Sequence, residues 1–140
     1  VAKLSHIPIM LDEPICSIKD IEKASKLKGV GLCKLKLKRF LSITKLTKAI
    51  KYAHKLGLKI VLGDGLGTEI NCWMEARIAK NLIDNAGEYN GFLKIDPKAR
   101  ILSNPLKFKN GFLLISENWN LEIDRDKLEK YSINKEEIYK

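Results

Sequence analysis

Three short segments in the first half of this 140-residue chain are apolar for a few residues and then end in polar groups. They are Ile-Pro-Ile-Met-Leu-Asp-Glu (7–13), Leu-Cys-Lys-Leu-Lys (32–36) and Lys-Ile-Val-Leu-Gly-Asp-Gly (59–65). Each is followed by a stretch with helical periodicity. Strand, short loop and helix, repeated in register, is the sequence pattern of a parallel α/β barrel. Such folds keep their chemistry at the C-terminal ends of the strands. Asp12 and Lys36, each at such an end, are therefore the first candidates for function.

In the first segment Ile7, Ile9 and Leu11 alternate with Pro8, Met10 and Asp12, the period of a strand over 7–11. Ser17 is placed to cap a helix, with Asp20 in its first turn, an apolar stripe of Ile18, Ile21 and Ala24, and Gly29 as its end. The second strand, predicted over 31–38, puts Cys33, Leu35 and Leu37 on one face and Lys34, Lys36 and Lys38 on the other. If the apolar face meets the helices, the three lysines point into the barrel. A buried ammonium without a partner costs several kcal/mol, so this arrangement points to function. An exposed edge strand would give the same alternation at no cost, but the βα context argues against an edge. Ser42 caps the next helix, which buries Ile43, Leu46, Ile50 and Ala53 and stops at Gly57. The third strand, 58–63, runs into the glycine-rich turn Gly-Asp-Gly-Leu-Gly-Thr-Glu (63–69), and a long helix reaches Leu82, with Trp73 and Met74 in its core. Residues 88–95 read as a fourth strand, 105–115 as a hairpin turning at Asn110-Gly111, and Asp124 as the start of a last helix.

A complete eight-stranded barrel takes roughly 250 residues, so this length predicts part of one. No low-complexity linker divides residues 1–140, which read as a single unit, and Val1 reads as interior to a longer frame. The net charge of +9 is uneven: +10 over residues 1–59 and −1 over the remainder. Lys45, Lys48, Lys51 and Lys55 recur on one polar helix face, and no aromatic side chains interleave with them as a base-stacking surface requires. Nucleic acid is therefore not the expected partner. No apolar run approaches the ~20 residues of a membrane helix. Cys16, Cys33 and Cys72 are odd in number and unpaired in spacing, as for reduced thiols in a cytoplasmic protein. His6 and His54 lack metal-ligand spacing and read as structural.

Taken in this order, the segments resemble the enolase superfamily, specifically the C-terminal barrel portion of its muconate-lactonizing and dipeptide-epimerase (mandelate racemase-like) branch. Residues 8–15, Pro-Ile-Met-Leu-Asp-Glu-Pro-Ile, are similar to the fifth barrel strand, and Leu35-Lys36-Leu37-Lys38 to the sixth. Gly63–Thr68 is similar to the seventh strand and loop, Glu88-Tyr-Asn-Gly-Phe-Leu to the end of the eighth, and Trp119–Asp124 to the closing return segment. The implied fold is α/β: the C-terminal part, about strands 5–8, of a (β/α)7β TIM-like barrel with a closing hairpin and helix. The N-terminal capping domain and the first half of the barrel would lie outside the chain. The implied activity is Mg²⁺-dependent abstraction of a proton alpha to a carboxylate through an enediolate, in a racemase, epimerase or cycloisomerase.

The resemblance assigns Lys36 as catalytic acid/base, Asp12 as a Mg²⁺ ligand, and Glu88 as an acid facing the sixth-strand lysine. Glu13, Lys34, Lys38, Asp64 and Gly65 would support these groups or touch substrate. The implied partners are a small-molecule carboxylate and the remainder of the barrel and cap, in a homo-oligomer when complete. Phe40-Leu41-Ser42 stands where relatives carry Gly-Gly, and Lys34 where they carry a small or amide residue. The second-strand lysine and the carboxylates of the third and fourth strands have no counterpart here, so the chain alone is expected not to turn over. Two other readings of the residues stay open: a basic, non-catalytic module for an anion or nucleic acid, and a phosphate-binding α/β enzyme using Gly63–Thr68. Equally, Asp12 reads as a solvent-facing strand-end acid, Asp64 as a turn former and Glu88 as a surface charge.

Overall fold

The computed structural model describes residues 2–63, 66–115, 120–134 and 136. Strands β1 (Ile9–Leu11), β2 (Val30–Leu35) and β3 (Lys59–Leu62) form a parallel sheet in that order. β2 is the centre, with Leu11 beside Cys33 and Leu35 beside Leu62. Helices α1 (Ile18–Ser25) and α3 (Ile43–Lys55) pack together and cover one face of the sheet. Cys33, Leu35, Ile60 and Leu62 meet Ile21, Ala24, Leu46, Ala49, Ile50 and Ala53 there, in one buried cluster. Burying one such Leu or Ile contributes about 1.5–3 kcal/mol. Because side chains alternate along a strand, the face opposite Cys33 and Leu35 belongs to Lys34 and Lys36, both buried.

Capping follows the sequence closely. Ser17 accepts from the Asp20 N–H and Ser42 from the Lys45 N–H. At the end of α3, the Gly57 N–H bonds to the His54 carbonyl and the Leu58 N–H to the Ala53 carbonyl, closing the helix with a Schellman pair.

α4 (Glu69–Leu82) buries Cys72, Glu75, Ala76 and Ala79, whereas Trp73 and Met74, expected in the core, are only partly buried. Strands β4 (Lys107–Lys109) and β5 (Phe112–Leu114) form the expected hairpin; both turn residues, Asn110 and Gly111, have positive φ, as a type I′ turn requires. The segment 120–124 returns along 101–104 through a Leu102–Ile123 bridge and Asn104 hydrogen bonds to Asn120 and Glu122. Asp124 then caps α5 (Arg125–Tyr131).

Three expectations about the strands are corrected as well. The strand expected from Ile7 begins at Ile9, and Ile7 is exposed. The strand expected to reach Lys38 ends at Leu35; a short helix α2 (Leu37–Phe40) follows, so Lys38 sits on that helix, exposed. The fourth strand over 88–95 is reduced to one parallel bridge between Gly63 and Glu88, because Asn90 and Gly91 break the extended run into a 3-10 turn over Gly91–Lys94. That turn seats Phe92, fully buried, against Cys72 and Leu106.

Candidate active site at the strand ends

The site is built where the parallel strands end. Asp12 follows β1, and Lys36 follows β2 in still-extended backbone, before the chain turns into α2. The Lys36 Nζ lies 2.8 Å from Asp12 Oδ1 and 3.0 Å from Oδ2. From α2, Arg39 reaches back to Asp12: its Nη1 donates to Oδ1 at 2.9 Å and also to the Asp12 main-chain carbonyl. Lys34 hydrogen-bonds Glu88 and stands 3.8 Å from Asp12 Oδ2. The side chains of Lys34, Lys36 and Arg39 are 9%, 10% and 16% exposed, Asp12 22% and Glu88 48%.

Three cations against two carboxylates leave this cluster with an excess of positive charge. Burial pushes the Asp12 carboxyl up, but the hydrogen bonds and charges of Lys36 and Arg39 outweigh it and hold the group below the usual carboxylate range. Behind the cluster, Glu75 of α4 is 1% exposed, and its Oε1 accepts from the Leu37 N–H at 2.6 Å. Burial first, and the Glu75 charge second, push the Tyr89 phenol above its ordinary range.

Asp12, Lys34, Lys36 and Glu88 are thus brought together. Glu88, however, pairs with Lys34, whereas the sequence reading set it facing Lys36. The bridge sets Glu88 beside Gly63, one step beyond the Leu35–Leu62 pair, and from there its side chain meets the Lys34 ammonium while the Lys36 ammonium is held by Asp12. Lys38 is carried out of the cluster by α2, and Glu13 is exposed. Asp64 and Gly65 lie outside the described residues. His6 and His54 are exposed, and among the described residues no group of three acidic, His or Cys side chains could hold a metal.

The sequence reading missed Arg39 and Glu75. Nothing local marked Arg39, whose partner is 27 residues away. Glu75 did leave a signal: an acid on the apolar stripe of α4, between Cys72 and Ala79. A cleft of about 620 Å³ lies between α4, the 83–90 segment and the hairpin, lined by Ala76, Ala79, Tyr89, Phe108 and Phe112; it touches the cluster through Glu88. No helix among the described residues is long and apolar enough to cross a membrane.

The comparisons agree with this fold. The chain is similar to a muconate lactonizing enzyme from Klebsiella pneumoniae, with a TM-score of 0.82 at 21% identity, covering 95% of this chain and 38% of that one. The enzyme of the same name from Pseudomonas putida gives 0.77 at 21% identity, covering 89% and 35%. One from Pseudomonas fluorescens, complexed with muconolactone, gives 0.73 at 22%, covering 89% and 34%. At these identities the likeness establishes the fold: this chain has the architecture of the C-terminal part of their TIM barrel and spans little more than a third of their length. No curated protein matches it by sequence. The family model described as enolase C-terminal domain-like matches residues 1–127, and the chain belongs to that family, in the muconate-lactonizing, mandelate racemase-like branch of the enolase superfamily.

Proposed function

We propose that this chain carries the acid/base side of a site that removes a proton alpha to a carboxylate, forming an enediolate, in a racemase, epimerase or cycloisomerase. The observation that carries the reading is the contact between Lys36 and Asp12 at the ends of neighbouring parallel strands, on the sheet face opposite the helices. The alpha proton is weakly acidic, so the site must stabilise negative charge as it develops on the substrate carboxylate. Lys36 exchanges the proton at its Nζ. Asp12 orients that ammonium, and Arg39 orients Asp12. Lys34 adds a second cation on the same strand face, and Glu88 holds Lys34 in place. The excess positive charge suits a small-molecule carboxylate.

The family resemblance implies Mg²⁺, a hard cation that requires near-octahedral oxygen coordination. The described residues do not fit it by themselves. Both Asp12 oxygens already accept from Lys36 or Arg39, and no metal-capable trio stands beside them among the described residues. Asp12 is accordingly proposed as one ligand of a shell whose other carboxylates come from outside this chain.

The test is turnover of a panel of alpha-substituted carboxylates by the complete protein, with and without Lys36→Met. The variant should lose at least the 10²–10⁴-fold that a positioned acid/base contributes, about 3–5 kcal/mol. Undiminished turnover would remove Lys36 from the chemistry.

A further inference from the structure

We infer that Glu75 is a positioning residue for Lys36, acting through the main-chain N–H of Leu37. The inference rests on the reading of Lys36 as the acid/base, but the placement it describes is measurable without turnover.

A carboxylate that is 1% exposed is costly unless it is well hydrogen-bonded. Glu75 spends one oxygen on an element 38 residues away, accepting at 2.6 Å from the N–H of the first residue of α2. That N–H is one of the donors a helix start leaves without an intrahelical acceptor. The residue placed to satisfy such donors is the N-cap, where Ser, Thr, Asp or Asn is usual. Here the N-cap is Lys36, which makes no side-chain capping bond and sends its ammonium to Asp12 instead. Glu75 therefore satisfies from α4 the first-residue N–H, a donor that an N-cap side chain, which accepts from the second or third helical N–H, would not take. It fixes the backbone immediately after position 36 at the point where the chain turns out of β2.

The turn is held on its other side as well, since Arg39 grips both the carboxylate and the carbonyl of Asp12. Glu75 also lies against the other strand ends. A Cβ at Gly63 would come within 3.2 Å of its Oε2 and collide with the Glu88 carbonyl, and Gly63 itself has φ +86. One buried carboxylate thus backs three segments: the β2–α2 turn, the end of β3 and the stretch carrying Glu88.

The experiment is acetylation footprinting of the 140-residue chain by mass spectrometry, comparing Lys36 with Lys34, which is equally buried two residues upstream. Glu75→Leu should raise the labelling of Lys36 about tenfold over that of Lys34, as expected for losing one charge-assisted hydrogen bond. Glu75→Gln, which keeps an acceptor oxygen, should restore protection. Leu37→Pro deletes the donor at a first-turn position that tolerates proline, and should reproduce Glu75→Leu without adding to it in the double variant. Unchanged Lys36 labelling in Glu75→Leu overturns the inference. So does equal exposure of Lys34 and Lys36, which would make Glu75 a general stability element. Should Glu75→Leu not fold, Leu37→Pro decides by the same comparison. Turnover of Lys36→Met tests the acid/base reading separately.

Discussion

Replacing Asp12 by Asn should destabilise the chain far more than removing the lysine it binds. Asp12 is contacted by Lys36 and Arg39 within hydrogen-bond distance and by Lys34 at 3.8 Å. Its side chain is 22% exposed and those of the three cations 16% or less, so solvent screens these contacts only in part. A hydrogen bond to a charged group contributes about 1.5–3 kcal/mol, and breaking a buried pair costs about 3–5. Asn retains one acceptor oxygen but turns an N–H₂ toward a cation and leaves Glu88 as the one remaining carboxylate of the cluster. The expected cost is about 3 kcal/mol, near the lower end of that range. With an unfolding entropy of ~2.1 cal/mol/K per residue, this lowers Tm by about 10 °C. Lys36→Met removes one of three crowded cations, leaves Arg39 on Asp12 and keeps an apolar stem, so about 1 kcal/mol is expected. Thermal unfolding followed by circular dichroism at pH 7 measures both. An Asp12→Asn protein as stable as the parent, or a Lys36→Met protein that loses more, would refute the electrostatic account of the site.

Because the folded Asp12 carboxyl lies below its ordinary value, its contribution to stability is fully present above about pH 4 and is lost as pH falls through the lower folded value. Asp12→Asn should accordingly flatten the acid limb of the stability–pH curve, which urea titrations between pH 2 and 6 would show. Leu41 adopts a left-handed conformation (φ 56) and is 84% exposed, so Leu41→Gly is expected to raise stability by about 1 kcal/mol; a loss would place unrecognised packing there. Cys33 and Cys72 are buried, and burial pushes the Cys33 thiol up to about 11, whereas Cys16 is exposed. In the native chain at pH 8, iodoacetamide should modify Cys16 long before the other two; comparable labelling of Cys33 would contradict the core described above.

The three βα units were legible because each signal is local. Alternation marks the strands, the Ser17 and Ser42 side chains accept from N–H groups three residues on, and Asn110-Gly111 carries its turn chemistry with it. The departures have non-local causes. The alternation Lys34–Lys36–Lys38 is the same whether the strand continues or stops at Leu35. What stops it is seen in the tertiary structure, where Glu75 captures the Leu37 N–H and Arg39 captures Asp12. Glu88 was expected to face Lys36 but pairs with Lys34, because the Lys36 ammonium is taken by Asp12, a contact across 24 residues that no local signal carries. The Gly-Gly that the family resemblance leads one to expect after the lysine motif shows a similar limit. The sequence records its loss at Phe40-Leu41-Ser42, while the structure shows that Leu41 still adopts the left-handed backbone a glycine would favour.

The measurement that bears most directly on the proposed chemistry is exchange of the alpha proton of a carboxylate substrate in D₂O, followed by ¹H NMR, in the complete protein carrying this chain. With Lys36 present, exchange should proceed; Lys36→Met should abolish exchange on the face that Lys36 serves, while Lys38→Met, at an exposed position of α2, should leave it intact. Exchange that persists unchanged without Lys36 would contradict the account.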